Sequence, residues 1–102
     1  MKNTVDLSEF INLLKGITPD VYYQLGDHDS ITYPCIVIAD NYTDTMYSNN
    51  IVYNAKHSYM VTYMSRKPIS IEDKMFEEFM YCKHINNSKI DGVFHEYYRV
   101  YF

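Results

Sequence analysis

The side chains best suited to chemistry in this chain are two cysteines, Cys35 and Cys82, and four histidines, His28, His57, His84 and His95. A Cys-His nucleophile needs a thiol beside an imidazole in a partly exposed, electropositive site. Cys35 sits instead in the apolar run Tyr33-Pro34-Cys35-Ile36-Val37-Ile38-Ala39. Cys82 and His84 fall in a stretch of helical periodicity, where residues two apart diverge by about 200° around the axis. The histidines form no HxxxH pair and the cysteines no CxxC pair, so a zinc site has no framework. Asp27-His28-Asp29 is the one local cluster of ligating types. Glu72, Asp73, Glu77 and Glu78 have the chemistry to pair over magnesium, but along a helix they read as a solvated acidic face. The glycines, Gly16, Gly26 and Gly92, are isolated, which removes a phosphate-cradling loop. The expectation is a protein that is not an enzyme, with no catalytic residues, cofactor or metal, working by contact.

Composition bounds the partners. The 102 residues are 47% apolar, 17% aromatic and 22% charged, which predicts one globular domain over 1–102. Such a domain buries roughly 65% of the surface its unfolded chain exposes. The formal charge of −4 repels phosphate backbones and anionic headgroups. Tyr97, Tyr98 and Tyr101 have the ring faces to stack bases, but only Lys56, Lys83, Lys89 and Arg99 lie near them in sequence. The residues from Met1 to Glu9 lack a signal-peptide apolar core, and no segment approaches the ~20 apolar residues of a membrane span. A cytoplasmic product with reduced, buried thiols and no membrane partner is expected. Asn41-Tyr42-Thr43 and Asn86-Asn87-Ser88 match the glycosylation pattern and read only as surface loops. Twelve tyrosines and no tryptophan fit a surface meant to be covered by neighbours.

The elements that position these residues follow from periodicity. Asp6 reads as the cap of a first helix, with Leu7, Phe10, Ile11 and Leu14 on its core face and Gly16 closing it. Val21 to Leu25 reads as a strand, ended by a turn over Gly26 to Ser30. Pro34 opens a second strand, Cys35 to Ala39, expected to be central and buried on both faces. Asp40 to Asn50 is a long polar loop. A third strand over His57 to Met64 alternates Tyr59, Val61 and Tyr63 against Met60, Thr62 and Met64. Ser70 caps a second helix, predicted from Ile71 to about His84, with Glu72 and Asp73 in its first turn and Lys83 and His84 in its last. Its core face is Ile71, Met75, Phe79 and Cys82, flanked by Phe76 and Met80. Asn86-Asn87-Ser88 ends it, and Ile90 to His95 and Tyr97 to Phe102 read as one or two final strands. The fold class is α+β: a mostly antiparallel sheet of about four strands with two helices on one face, in the order α-β-β-β-α-β(β).

In this order Tyr33-Pro34-Cys35-Ile36-Val37-Ile38, Asn50-Ile51-Val52-Tyr53, Tyr59-Met60-Val61-Thr62-Tyr63-Met64-Ser65-Arg66-Lys67, the acidic helix and Tyr97-Tyr98-Arg99-Val100-Tyr101-Phe102 resemble a known family. It is that of the small tail-completion or tail-terminator proteins, which join head to tail in long-tailed phages and prophages of Gram-positive bacteria. The likeness spans nearly the whole chain. It departs where Ala39-Asp40-Asn41 follows the strand directly, instead of preceding the position of Tyr53. The resemblance implies a virion structural protein at the head-tail junction, made in the host cytoplasm. Its subunits form a ring, commonly a hexamer, that caps the tail tube. The implied partners are further copies of the chain, the major tail-tube protein and a head connector or head-closure protein, with DNA only passing through the lumen. The interaction residues expected are those of the long loop: Asp40, Asn41, Tyr42, Asp44, Met46, Tyr47, Asn49 and Asn50. A head-closure or adaptor protein, or a small prophage-encoded protein-binding module, is the alternative.

Overall fold

Helix α1 spans Asn3–Lys15 in the computed structural model, which describes residues 3–24, 30–40 and 58–102. Its apolar spacing acts as expected: Phe10 and Leu14 are fully buried, and Leu7 and Ile11 pack at the margin of the same core. Asp6 is not its cap, because the helix already runs from Asn3 and holds Asp6 within it. Gly16 does end it, its N–H donating to the Leu13 carbonyl at 3.1 Å. The chain then forms β1 (Val21–Tyr23), β2 (Cys35–Asp40), β3 (Ser58–Ser65), α2 (Glu72–Glu78), β4 (Cys82–Ile90) and β5 (Val93–Tyr101).

The strands build one five-stranded sheet in the order β1-β2-β3-β5-β4. Its pairs are antiparallel except β1 with β2, which run parallel. The α+β class holds, with five strands rather than about four. Both helices lie on one face. Phe10 and Leu14 of α1 and Met75 of α2 share a core with Ile36 and Ile38 of β2, Tyr59, Val61 and Tyr63 of β3, and Tyr98 and Val100 of β5. Registry explains the selection, since Ile38, Val61 and Tyr98 stand opposite one another across three strands and so point the same way. Strand β2 is interior, as its apolar run predicts, but only part of it is buried on both faces: on the side away from the helices Cys35 is fully buried, while Val37 and Ala39 are partly exposed. Of the described residues expected in β1, Val21–Tyr23 form the strand and Gln24 leaves it with φ at 54°; Leu25 lies outside the described residues.

The largest correction falls on α2. It ends at Glu78, Phe79 turns extended with φ −122° and ψ 125°, and no basic residue lies in its last turn. Residues from Cys82 onward, Asn86 to Ser88 included, belong to β4. The cause is local to the far end of that strand. Asp91 and Gly92 have φ of 52° and 77°, the two positive values that a type I′ hairpin turn requires, and Ile90 pairs directly with Val93 across it. That turn zips β4 back along β5 as far as Cys82, with a bulge between His84 and Asn86. The sequon at Asn86 therefore lies on a strand and not in a loop.

The core closes on four rings. Phe10 stacks on Tyr59 at 4.6 Å between centroids, meets Phe79 edge-on at 5.3 Å and lies 5.2 Å from Phe102. Phe10→Ala removes the ring common to all three contacts. It is expected to destabilise the fold by about 3–5 kcal/mol, read as a lower urea midpoint with an unchanged slope.

Candidate functional site

Of the expected interaction residues, only Asp40 is described; Asn41, Tyr42, Asp44, Met46, Tyr47, Asn49 and Asn50 lie outside the described residues. Asp40 closes β2, and the Tyr23 hydroxyl of β1 donates to its Oδ2 at 2.8 Å. The bond ties the edge strand to its neighbour at the point where the chain leaves the sheet. His28 and His57 also lie outside the described residues, as does the cluster Asp27-His28-Asp29. Among the described residues no group of three or more His, Cys, Asp or Glu converges as a metal site would.

A polar cluster that spacing did not reveal joins α2 to the β4–β5 hairpin. Glu96 of β5 accepts two hydrogen bonds on Oε1, from the Ile71 amide at 3.0 Å and the Tyr98 hydroxyl at 2.7 Å. The first serves an amide at the entrance of α2, so a residue 25 positions away shares the capping work. Ser70 is not the cap its position predicts, since Ile71 holds that place and makes no side-chain cap hydrogen bond; Ser70 Oγ instead accepts the Glu72 amide at 3.1 Å from one residue earlier, as in a serine turn. Tyr98 is fully buried, and burial, followed by its bond to Glu96 and the charge there, holds its hydroxyl protonated far above the ordinary tyrosine range. On β4, His84 Nε2 donates to Asn87 Oδ1 at 2.7 Å, while Nδ1 stands 3.8 Å from Glu72 Oε2. With the two side chains 27% and 43% exposed, that last contact contributes little. Asp73, Glu77 and Glu78 are exposed along α2, as expected of a solvated acidic face.

Above this cluster the hairpin and the 68–70 segment enclose a half-open notch of about 240 Å³. Glu96 and Asn87 line it together with Phe94, Pro68, Ile69 and Ser70. Its volume lies below the about 300–1,000 Å³ usual for small-molecule sites.

Cys82 and His84 do not diverge. As alternate residues of a strand, opposite Val100 and Tyr98, they share the helix-covered face. The thiol is nevertheless poorly suited to attack, because burial pushes it from its ordinary value of 9.0 up to about 11. Cys35 is fully buried and likewise pushed up to about 11, by burial and then by the charge of Asp20. Both thiols are free.

The opposite face of the sheet carries no helix among the described residues. Registry lines up Val37, Thr62 and Tyr97 in one row and Ala39, Met60, Arg99 and Lys83 in the next. All but the exposed Lys83 are partly exposed, as are Met64 and Tyr101. Tyr97 and Tyr101 thus belong to this face, whereas Tyr98, grouped with them by sequence, belongs to the core.

A raised thiol pKa stabilises the fold below the unfolded value, near pH 9, and that contribution is lost as pH rises through about 11. Native protein at pH 8 is expected to react with a disulfide reagent at least tenfold more slowly than protein in urea. The double variant Cys35→Ala, Cys82→Ala is expected to lose less stability than the parent between pH 9 and 11. Both follow by absorbance and urea titration. No protein-family model, curated protein or solved structure matches the chain.

Proposed function

We propose that the chain is a phage virion protein of the head-tail junction, a tail terminator whose subunits form a ring that caps the tail tube and joins it to the head connector. The observation that carries this reading is the helix-free face of the sheet. Tyrosine, methionine and threonine side chains stand there partly exposed on a rigid, three-strand platform of β2, β3 and β5. Such a face suits burial against another protein, since methionine and tyrosine adapt to a partner at low cost in ordering. The segments that carry the family resemblance, 33–38, 59–67 and 97–102, supply those same three neighbouring strands. Both edges of the sheet are poor partners by comparison. Strand β1 pairs over three residues, and β4 bears a bulge and the exposed Lys83 and Lys89, devices that discourage strand addition. In the proposed mechanism no covalent step occurs. A ring of subunits buries the growing end of the tube, stops its polymerisation and offers its other side to the connector. The acidic balance of −4 keeps passing DNA from adhering to the lumen.

Purified protein, mixed with tail tubes assembled from the tube protein of the same virus, is expected to form rings at tube ends under negative-stain microscopy. Rings that seat on connectors and ignore tubes would make it a head-closure protein instead. A chain that stays monomeric in sedimentation and associates with neither would overturn the virion reading.

A further inference from the structure

Charge is unevenly spread over this molecule. Its formal balance is −4, yet the strands present no aspartate or glutamate on the helix-free face among the described residues. Asp40 alternates with Ile36 and Ile38 along β2, and Glu96 with Tyr98 along β5, so both lie on the helix-covered side. The other described acidic residues stand in α1, in α2, at Asp20 and in the hairpin turn at Asp91. Basic side chains do the opposite. Lys83 of β4 and Arg99 of β5 are direct cross-strand partners on the helix-free face, with the His95 imidazole further along β5 on the same side. Two cations directly opposite each other on an antiparallel ladder repel, which costs the isolated sheet stability. A carboxylate set between them removes that cost and adds charge-assisted contacts.

The surroundings select the kind of anion. Arg99 stands opposite Met60 of β3, with Tyr97 and Tyr101 as its neighbours along the same face of β5. Arginine framed by methionine and tyrosine has the composition of an anchor in a protein interface. Nucleic acid requires a basic track that follows its backbone. Here the next row holds Val37, Thr62 and Tyr97, and among the described residues the strands place no lysine or arginine on this face besides Lys83 and Arg99.

We infer that the helix-free face docks an acidic, partly apolar patch of a partner protein, one carboxylate of which seats between Lys83 and Arg99. This rests on the reading of that face as the contact surface and adds the charge of what it meets. The fork of the Arg99 guanidinium holds the carboxylate in a fixed orientation, and Lys83, exposed at the rim, supplies a second charge. The same acidic patch is repelled by α2 on the other side of the molecule, so charge also decides which face docks.

The test follows amide chemical shifts of the full chain during titration with acetylated, amidated tetraglutamate, and separately with tetraglutamine and a thymidine tetranucleotide. Tetraglutamate is expected to shift Met60, Lys83, Tyr97 and Arg99 saturably, and to bind at least tenfold more tightly than either of the other two. Lys83→Gln and Lys89→Gln remove the same charge from the same strand, on opposite faces. The first is expected to weaken tetraglutamate severalfold and the second to leave it unchanged. Equal binding of the two peptides, tighter binding of the tetranucleotide, or shifts centred away from Lys83 and Arg99 overturns the inference on the parent protein alone, and equal losses in K83Q and K89Q overturn it through the variants. Tail tubes play no part in this titration. A protein that takes tetraglutamate on this face and ignores tubes loses only the virion reading, and one that caps tubes without responding to tetraglutamate loses only this inference.

Discussion

The stack of Phe10 on Tyr59, with Phe79 and Phe102 against it, is the contact on which the remaining architecture depends. One ring from α1 meets the start of β3, the exit of α2 and the residue after β5. Because all four come from different elements, the cluster forces both helices onto the same side of the sheet. Two consequences follow. The helix-covered face becomes a closed core in which a polar group such as Tyr98 must find a partner, and it finds Glu96. The other face is left with no helix among the described residues; Cys35, Ser58 and Val93 on it are buried, while Val37, Ala39, Met60, Thr62, Met64, Tyr97, Arg99 and Tyr101 stand there partly exposed.

Glu96 is the polar counterpart of that ring cluster. A carboxylate placed mid-strand at the rim of a core would ordinarily be a liability. Here it satisfies an amide at the start of α2 and the hydroxyl of a fully buried tyrosine, so the helix, the hairpin and the core are fastened through one oxygen.

How legible this was differs by element. Phe10 and Leu14, the alternation through β3, and the core triplet Ile71, Met75 and Phe79 were readable because a single local period decides which face each side chain takes. The same period misled beyond Phe79. Cys82 continues the apolar spacing of α2, yet the chain turns extended there because β4 gains a ladder with β5, a nonlocal reward that spacing does not encode. A local signal did exist: Asp91-Gly92 is a strong hairpin dipeptide, and pairing outward from it places Cys82 and His84 on a strand and on one face. The role of Glu96 had no such signal. It depends on a hydrogen bond to a residue 25 positions earlier, set by tertiary packing alone.

Contact through the helix-free face is the claim that unites fold and proposed function, and oxidative footprinting measures it directly. Hydroxyl radicals report the exposure of methionine and tyrosine, so the chain is labelled alone and then bound to purified tail tubes. Severalfold protection of Met60, Met64, Tyr97 and Tyr101 is predicted, with unchanged labelling of Met80, which is 86% exposed in the segment between α2 and β4. Equal labelling of all five residues in the free and tube-bound protein would contradict it.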